Sequence, residues 1–277
     1  MSKVALIIGG TGGLGVASAE DLAKDHVVVI AGRRKEKGDA VVDKITSSGG
    51  KGAFISVDLL EPASITSLHE KVLETYGRLD VALNAAGILA PSAKLADTDK
   101  ADFDRSMAIN VTGVYLAMVE QIRAMQKSPG EKGGVIVNLT SIYGLTGCKW
   151  ASIYCTSAVT HAPQSPPHIK QLTPLSATTK HALVGLTRSA AAEYALDNIR
   201  ISAVAPGIVP TEMTAGMDPS ALPEGELRDD VLAIINAYPQ RMLGEVTDVS
   251  RAVRYLVESP WTTGAVIEVD GAFGAKR

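Results

Sequence analysis

Cysteine is nearly absent from this chain: Cys148 and Cys155 are the only two among 277 residues. Two cysteines cannot build a disulfide framework, and their spacing matches no zinc motif. Histidine is sparse as well, five residues scattered along the sequence, so no metal site is expected. Neither sign of charge dominates, since 27 Lys and Arg against 30 Asp and Glu leave a net charge of −3. With the basic residues dispersed, neither nucleic acid nor a membrane surface is the expected partner. Long hydrophobic runs are missing too. The amino-terminal stretch "VALIIGG" is cut short by glycine, too early for a membrane span or a signal peptide, and the expectation is a cytoplasmic protein.

What is present is an ordinary globular composition, 46% apolar and 21% charged, in a chain long enough for one large α/β domain. Apolar β-branched runs mark candidate strands at Val4–Ile8, Val27–Ala31, Ala53–Val57, Val81–Asn84, Val135–Leu139, Ile199–Val204 and Val266–Val269. Runs without polar alternation suit strands buried on both faces, as in a parallel sheet. Between them lie amphipathic segments at Gly13–Lys24, Lys35–Ser47, Ser64–Tyr76, Phe103–Met125, His181–Leu196 and Val246–Glu258. Strand–helix alternation at this spacing predicts a single-domain, doubly wound sheet of seven parallel strands with helices on both faces.

The first strand runs into "GGTGGLG" and then a helix. A tight turn, a close backbone approach to a pyrophosphate and close helix–strand packing each favour a residue without a β-carbon. Gly9, Gly13 and Gly15 fall at those places, with Thr11 and Leu14 between them. The free amides opening the helix would face phosphates, so the loop points to a nucleotide. The second strand ends in "AGRRKEKG", with no acidic residue to accept hydrogen bonds from ribose hydroxyls. Arg33 and Arg34 stand there instead, suited to clasp a 2′-phosphate. They select NADP(H), with NAD(H) as the alternative cofactor.

With these features the sequence resembles the short-chain dehydrogenase/reductase family, over nearly its whole length outside residues 155–175. The glycine motif matches, although Ile8 stands where the family usually has threonine. "VDLL" resembles the segment that contacts adenine, here Asp58 and Leu59. "NAAG" resembles the motif supporting the cofactor after the fourth strand, here Asn84, Ala85 and Gly87. "VAPGIVPT" resembles the segment near the nicotinamide, with Pro206, Gly207, Val209 and Thr211. "VDGAFG" approximates the carboxyl-terminal motif, with Ala272 where a second glycine is common. The resemblance implies a Rossmann-like fold, a homodimer or homotetramer, and a small carbonyl or alcohol substrate. It also implies catalytic roles for Asn110 in "INVTG", Ser141 in "IVNLTS", Tyr154 and Lys180, the last two also touching the cofactor. Tyr154 lies thirteen positions after Ser141, the family spacing, whereas Tyr143 follows the serine too closely.

The implied chemistry has a physical logic. A ketone accepts hydride only if its oxygen receives a proton as charge develops. A tyrosine of pKa about 10 is almost wholly neutral at pH 7. A neighbouring lysine ammonium favours the phenolate and brings that pKa toward the working range. Serine would position the substrate oxygen, and asparagine would hold a water linking the lysine to solvent.

Such a tyrosine and lysine normally stand four residues apart, one helical turn, with their heads on one face. Here Pro163, Pro166, Pro167 and Pro174 fall between Tyr154 and Lys180, and a continuous helix through that tract is excluded by the missing amide donors. The expectation is an irregular insertion at about 155–176, exposed over 161–175, with the matching helix resuming at Ala177. Three readings stand. The tract is a surface loop that lets Tyr154 dock beside Lys180. Or it has dismantled the site, leaving a cofactor-binding protein of impaired or non-redox activity. Or it is translated intron: the Tyr154–Ser157 codons can contain the donor-like word GTACGT, and the Leu175–Ala177 codons a terminal CAG. Excision between those words keeps the frame and leaves Tyr-Ser-Thr-Thr-Lys. The substrate itself is not readable, because Glu212–Arg241 is mixed in character.

Overall fold

Every residue of β1 (Lys3–Ile8) after its first is buried, because the strand has a neighbour on each edge and a helical layer on each face. The computed structural model describes residues 2–89, 95–128, 133–146, 174–214 and 226–276. The remaining strands are β2 (His26–Gly32), β3 (Lys51–Ser56), β4 (Val81–Asn84), β5 (Gly134–Leu139), β6 (Ile199–Pro206) and β7 (Val266–Val269). They form one sheet of order β3-β2-β1-β4-β5-β6-β7, with every adjacent pair parallel. The expected single-domain, doubly wound, seven-stranded sheet is what the chain builds.

Side-chain alternation along β1 feeds two cores. Val4, Leu6 and Ile8 pack with Leu68, Val72, Met118 and Leu183 on one face. Ala5 and Ile7 pack with Leu22, Ile45, Val249 and Leu256 on the other. The first face is covered by α3 (Pro62–Tyr76), α5 (Val114–Lys127) and α6 (Pro174–Tyr194), and the second by α1 (Gly13–Leu22), α2 (Lys35–Ser47) and α8 (Val246–Glu258). Full burial of one such aliphatic side chain contributes about 1.5–3 kcal/mol. The sheet is therefore the rigid part on which the loops at its carboxyl edge depend.

Several boundaries differ from the sequence expectation. The segment read as one helix over Phe103–Met125 is three: α4 (Lys100–Met107), a π-helical stretch (Ala108–Gly113) and α5. Asn110, in the π stretch, spends its side chain on the backbone of Ile88 rather than on solvent. A single wide turn of this kind often accompanies a functional residue. Helix α6 starts at Pro174, three residues before the expected Ala177, which corrects the irregular assignment for residues 174–176. Proline suits the first turn of a helix, where its missing amide has no intrahelical acceptor. A further helix, α7 (Glu226–Ala237), occupies part of the segment that sequence left without assignment. The rest of the tract, and Tyr154 with it, lies outside the described residues.

Candidate active site

Strand order reverses between β1 and β4, so their carboxyl ends part and leave a crevice. Ile8, last of β1, is registered against both Ala31 and Asn84. The chain then turns at Gly9, whose φ of +88° favours glycine, and where a β-carbon would overlap the Ala86 amide nitrogen. Helix α1 begins with no side-chain cap at Gly12 and no acidic residue in its first turn. The amides of Gly13, Leu14 and Gly15 have no acceptor within the helix by geometry, so this end is suited to an anion. Across the crevice, a β-carbon on Gly13 would come 2.7 Å from Thr211 Cγ2, so the Pro-Gly segment after β6 closes tightly against α1.

The crevice opens into a cleft of about 200 Å³. Of the residues expected at a cofactor site, Gly9, Thr11, Ala85 and Gly87 line one wall, and Arg33, Arg34, Asp58 and Leu59 line the other end. Met213 and Ile88 line it as well; sequence reading missed both, since nothing distinguishes them from core residues. Asn84 is buried beneath the cleft. Its amide exchanges hydrogen bonds with Gln121 and donates to Asn138 Oδ1 at 2.8 Å, and Asn138 in turn donates to Thr187. That network fixes the end of β4 and the loop that follows it. Asp58 bonds the Leu60 amide at 3.0 Å, which shapes the turn after β3. Gly207 bonds Val269, and the buried Val209 offers its carbonyl to Thr214 Oγ1 at 2.7 Å. Pro206 closes β6.

The residues expected to be catalytic gather near the end of β5. Ser141 follows that strand in extended conformation and caps the short helical turn Ile142–Gly144, its Oγ accepting from the Tyr143 amide at 3.2 Å. Helix α6 lies hard against this turn: Thr140 Oγ1 donates to the Lys180 carbonyl at 3.0 Å, and a β-carbon on Gly144 would meet that carbonyl at 2.8 Å. The Lys180 ammonium donates to the Leu139 carbonyl at 2.8 Å. Burial draws its pKa down from 10.5 to about 8, because desolvation disfavours the charged form. A lysine of that pKa is still about nine-tenths charged at pH 7. A methyl at Gly87 would stand 3.3 Å from Asn110 Oδ1 and 3.8 Å from Lys180 Nζ, so asparagine and lysine flank the same glycine. Asn110 Oδ1 accepts from the Ile88 amide at 2.8 Å, while its Nδ2 donates to the Ile88 carbonyl at 3.0 Å and to Thr179 at 3.4 Å.

Ser141, Asn110 and Lys180 are thus carried to one region by three separate elements. Tyr154 lies outside the described residues. Tyr143 is close by, and burial pushes the pKa of its phenol up to about 12. Among the described residues no cluster of His, Cys, Asp or Glu could hold a metal, and no helix is long and apolar enough to cross a membrane.

A parallel sheet with a glycine-lined crevice at its topological switch point is the architecture of a Rossmann-like nucleotide-binding fold. Comparison with known proteins identifies the branch. Residues 3–161 match the family model for short chain dehydrogenases, and residues 168–273 match the model described as enoyl-(acyl carrier protein) reductase. The chain belongs to the short-chain dehydrogenase/reductase family. It is 34% identical over 273 residues to an uncharacterized oxidoreductase of Thermotoga maritima, covering 97% of this chain and 96% of that one. It is 31% identical to cyclohexanol dehydrogenase of Acinetobacter, covering 99% and 96% respectively. Among solved structures it superposes on ElxO with NADP bound at a TM-score of 0.82, with 30% identity, over 99% of this chain and 100% of that one.

Proposed function

We propose that this protein is an NADP(H)-dependent oxidoreductase that interconverts a small-molecule carbonyl and its secondary alcohol, working in the cytoplasm as a homodimer or homotetramer. The observation that carries the reading is the placement of Lys180, an ammonium of lowered pKa bonded to the end of β5, with Asn110 across Gly87 and Ser141 next to the Thr140 that bonds its carbonyl. The residues present suit a dinucleotide: the cradle at Gly9 has no room for a side chain, and the start of α1 offers uncapped amides. Gly13, Leu14 and Gly15 would hold the pyrophosphate, Asp58 and Leu59 would bound the adenine, and Arg33 and Arg34 would take the 2′-phosphate. Ala85, Gly87, Pro206, Gly207, Val209 and Thr211 would bound the nicotinamide half, with Asn84 supporting them from below. Bound there, the cofactor supplies or accepts hydride.

The chain's own residues would then handle the proton. Tyr154 donates to the carbonyl oxygen as negative charge grows on it, and Ser141 positions that oxygen. Lys180 stabilises the resulting phenolate electrostatically. Asn110, anchored to the Ile88 backbone, would hold the water that reconnects Lys180 to solvent. We further propose that the insertion between Tyr154 and Lys180 leaves the chain able to fold and bind cofactor but slow in reduction. Loop closure becomes only slowly costlier with length, whereas a phenol misplaced by about 1 Å can cost on the order of a hundredfold in rate. The cofactor assignment is tested by replacing Arg33 and Arg34 together with alanine and measuring NADPH and NADH affinity. NADPH should weaken much more than NADH, and equal losses would show that neither arginine meets a 2′-phosphate.

A further inference from the structure

Glu212 opens the short turn Glu212–Thr214 beyond the Pro-Gly segment, facing the start of α2. Its carboxylate oxygens lie 2.6 and 2.7 Å from Lys37 Nζ, and one of them lies 3.4 Å from Arg34 Nη1. Arg34 also reaches the Thr11 carbonyl at 3.4 Å, which places this cluster at the rim of the glycine loop. The turn bearing Glu212 is not free to wander. Thr214 Oγ1 donates to the Val209 carbonyl at 2.7 Å, and the Thr211 amide donates to Thr214 Oγ1 at 2.8 Å. Met213, the next residue, lines the same cleft as Arg33 and Arg34. One carboxylate therefore bridges two cations, 178 and 175 residues away in sequence, at the mouth of the cleft.

The Glu212 side chain is 64% exposed, and an ion pair in that setting is readily exchanged for another anion. A phosphate monoester brings more charge and three acceptor oxygens, so it outcompetes a single carboxylate for the same donors. Lys37 in the first turn of α2 and Arg34 at its N-cap both reach Glu212, which gives the two side chains a common target.

We propose that Glu212 is an internal anion holding the cations that receive the 2′-phosphate, that Lys37 is one of those cations, and that Glu212 thereby sets the NADP(H)/NAD(H) preference. The inference rests on the NADP(H) reading above. A cofactor bearing the phosphate must displace Glu212 from Lys37 and Arg34. One without it leaves the bridge in place. Glu212 therefore weakens the binding of NADP(H) while leaving NAD(H) untouched.

The test is calorimetric titration of the full chain with adenosine 2′,5′-bisphosphate and with 5′-AMP, for wild type, Glu212→Gln and Lys37→Met. Glu212→Gln should bind the bisphosphate roughly two- to fivefold more tightly, the range set by an exposed ion pair, with 5′-AMP unchanged. Lys37→Met should weaken the bisphosphate by about tenfold, the loss of one charge-assisted contact. A wild-type preference for the bisphosphate together with no tightening in Glu212→Gln, equal tightening of both ligands, or an unaltered bisphosphate affinity in Lys37→Met, overturns this inference alone. A wild type with no preference for the bisphosphate overturns the NADP(H) reading and this inference with it.

Discussion

Replacing Lys180 with methionine should make the protein more stable at neutral pH while removing its chemistry. Burial lowers the Lys180 pKa from 10.5 to about 8, so holding the ammonium in the folded state costs up to about 3 kcal/mol at pH 7. That figure is an upper bound because Lys180 is partly open to the cleft. Against it stands the hydrogen bond to the Leu139 carbonyl at 2.8 Å, whose loss costs about 1–2 kcal/mol. Methionine fills a similar volume without a charge, so a net gain of about 1 kcal/mol is expected, or roughly 3 °C in Tm. The pH dependence gives the sharper signature. Between pH 8 and 10.5 the unfolded chain keeps the Lys180 proton that the folded chain has lost, so wild-type stability rises with pH across that window relative to Lys180→Met. Urea denaturation of both proteins at pH 7, 8, 9 and 10 should give a wild-type minus variant difference that climbs by up to about 2.5 kcal/mol, from about −1 to about +1.5 kcal/mol. A difference that stays flat over this range would refute the claim that Lys180 is held charged at a cost.

Tyr143 should show the opposite sign. Its folded pKa is raised to about 12, so its contribution is present below pH 10 and is lost as pH rises toward 12. Tyr143→Phe should unfold less readily than wild type at pH 11.5 by up to about 2 kcal/mol, and its turnover should stay near wild type, since Tyr154 is the proposed acid; a large fall in turnover would give Tyr143 a role in proton transfer. For assembly, Phe103 on α4 and Tyr115 on α5 are 38% and 48% exposed, and light scattering at micromolar concentration should return a dimer or tetramer. A monomer would contradict that proposal.

Sequence carried the fold further than it carried the site. All seven strands were legible because β1, β2, β4 and β5 are buried on both faces, and such strands write unbroken apolar runs. The long helix over Phe103–Met125 was misread because its apolar periodicity runs through the π turn. The event that widens the turn, Asn110 bonding the Ile88 backbone, is a contact across 22 residues that no local pattern records. Helix α7 is short and sits in a segment of mixed character, and its Val231 and Ile235 join only a small satellite core with Ile208 and Tyr238. Ser141, Asn110 and Lys180 could be singled out because each lies in a short stretch resembling a family motif, and the fold brings all three near the end of β5. Lys37 and Glu212 could not be, since a charged residue on a helix start and another on a distant turn look like ordinary surface until folding joins them.

Tyr154, Lys180 and Ser141 are proposed to drive carbonyl reduction, and the intervening tract to impair it. The direct test compares NADPH oxidation over a panel of ketones by two proteins: the full chain, and one in which Cys155–Ala177 is replaced by a single serine to give Tyr-x-x-x-Lys. Both should bind NADPH. The shortened protein should turn over faster by orders of magnitude, and Tyr154→Phe in that background should abolish the gain. Equal turnover in the full and shortened proteins, or a gain that survives Tyr154→Phe, would contradict the account.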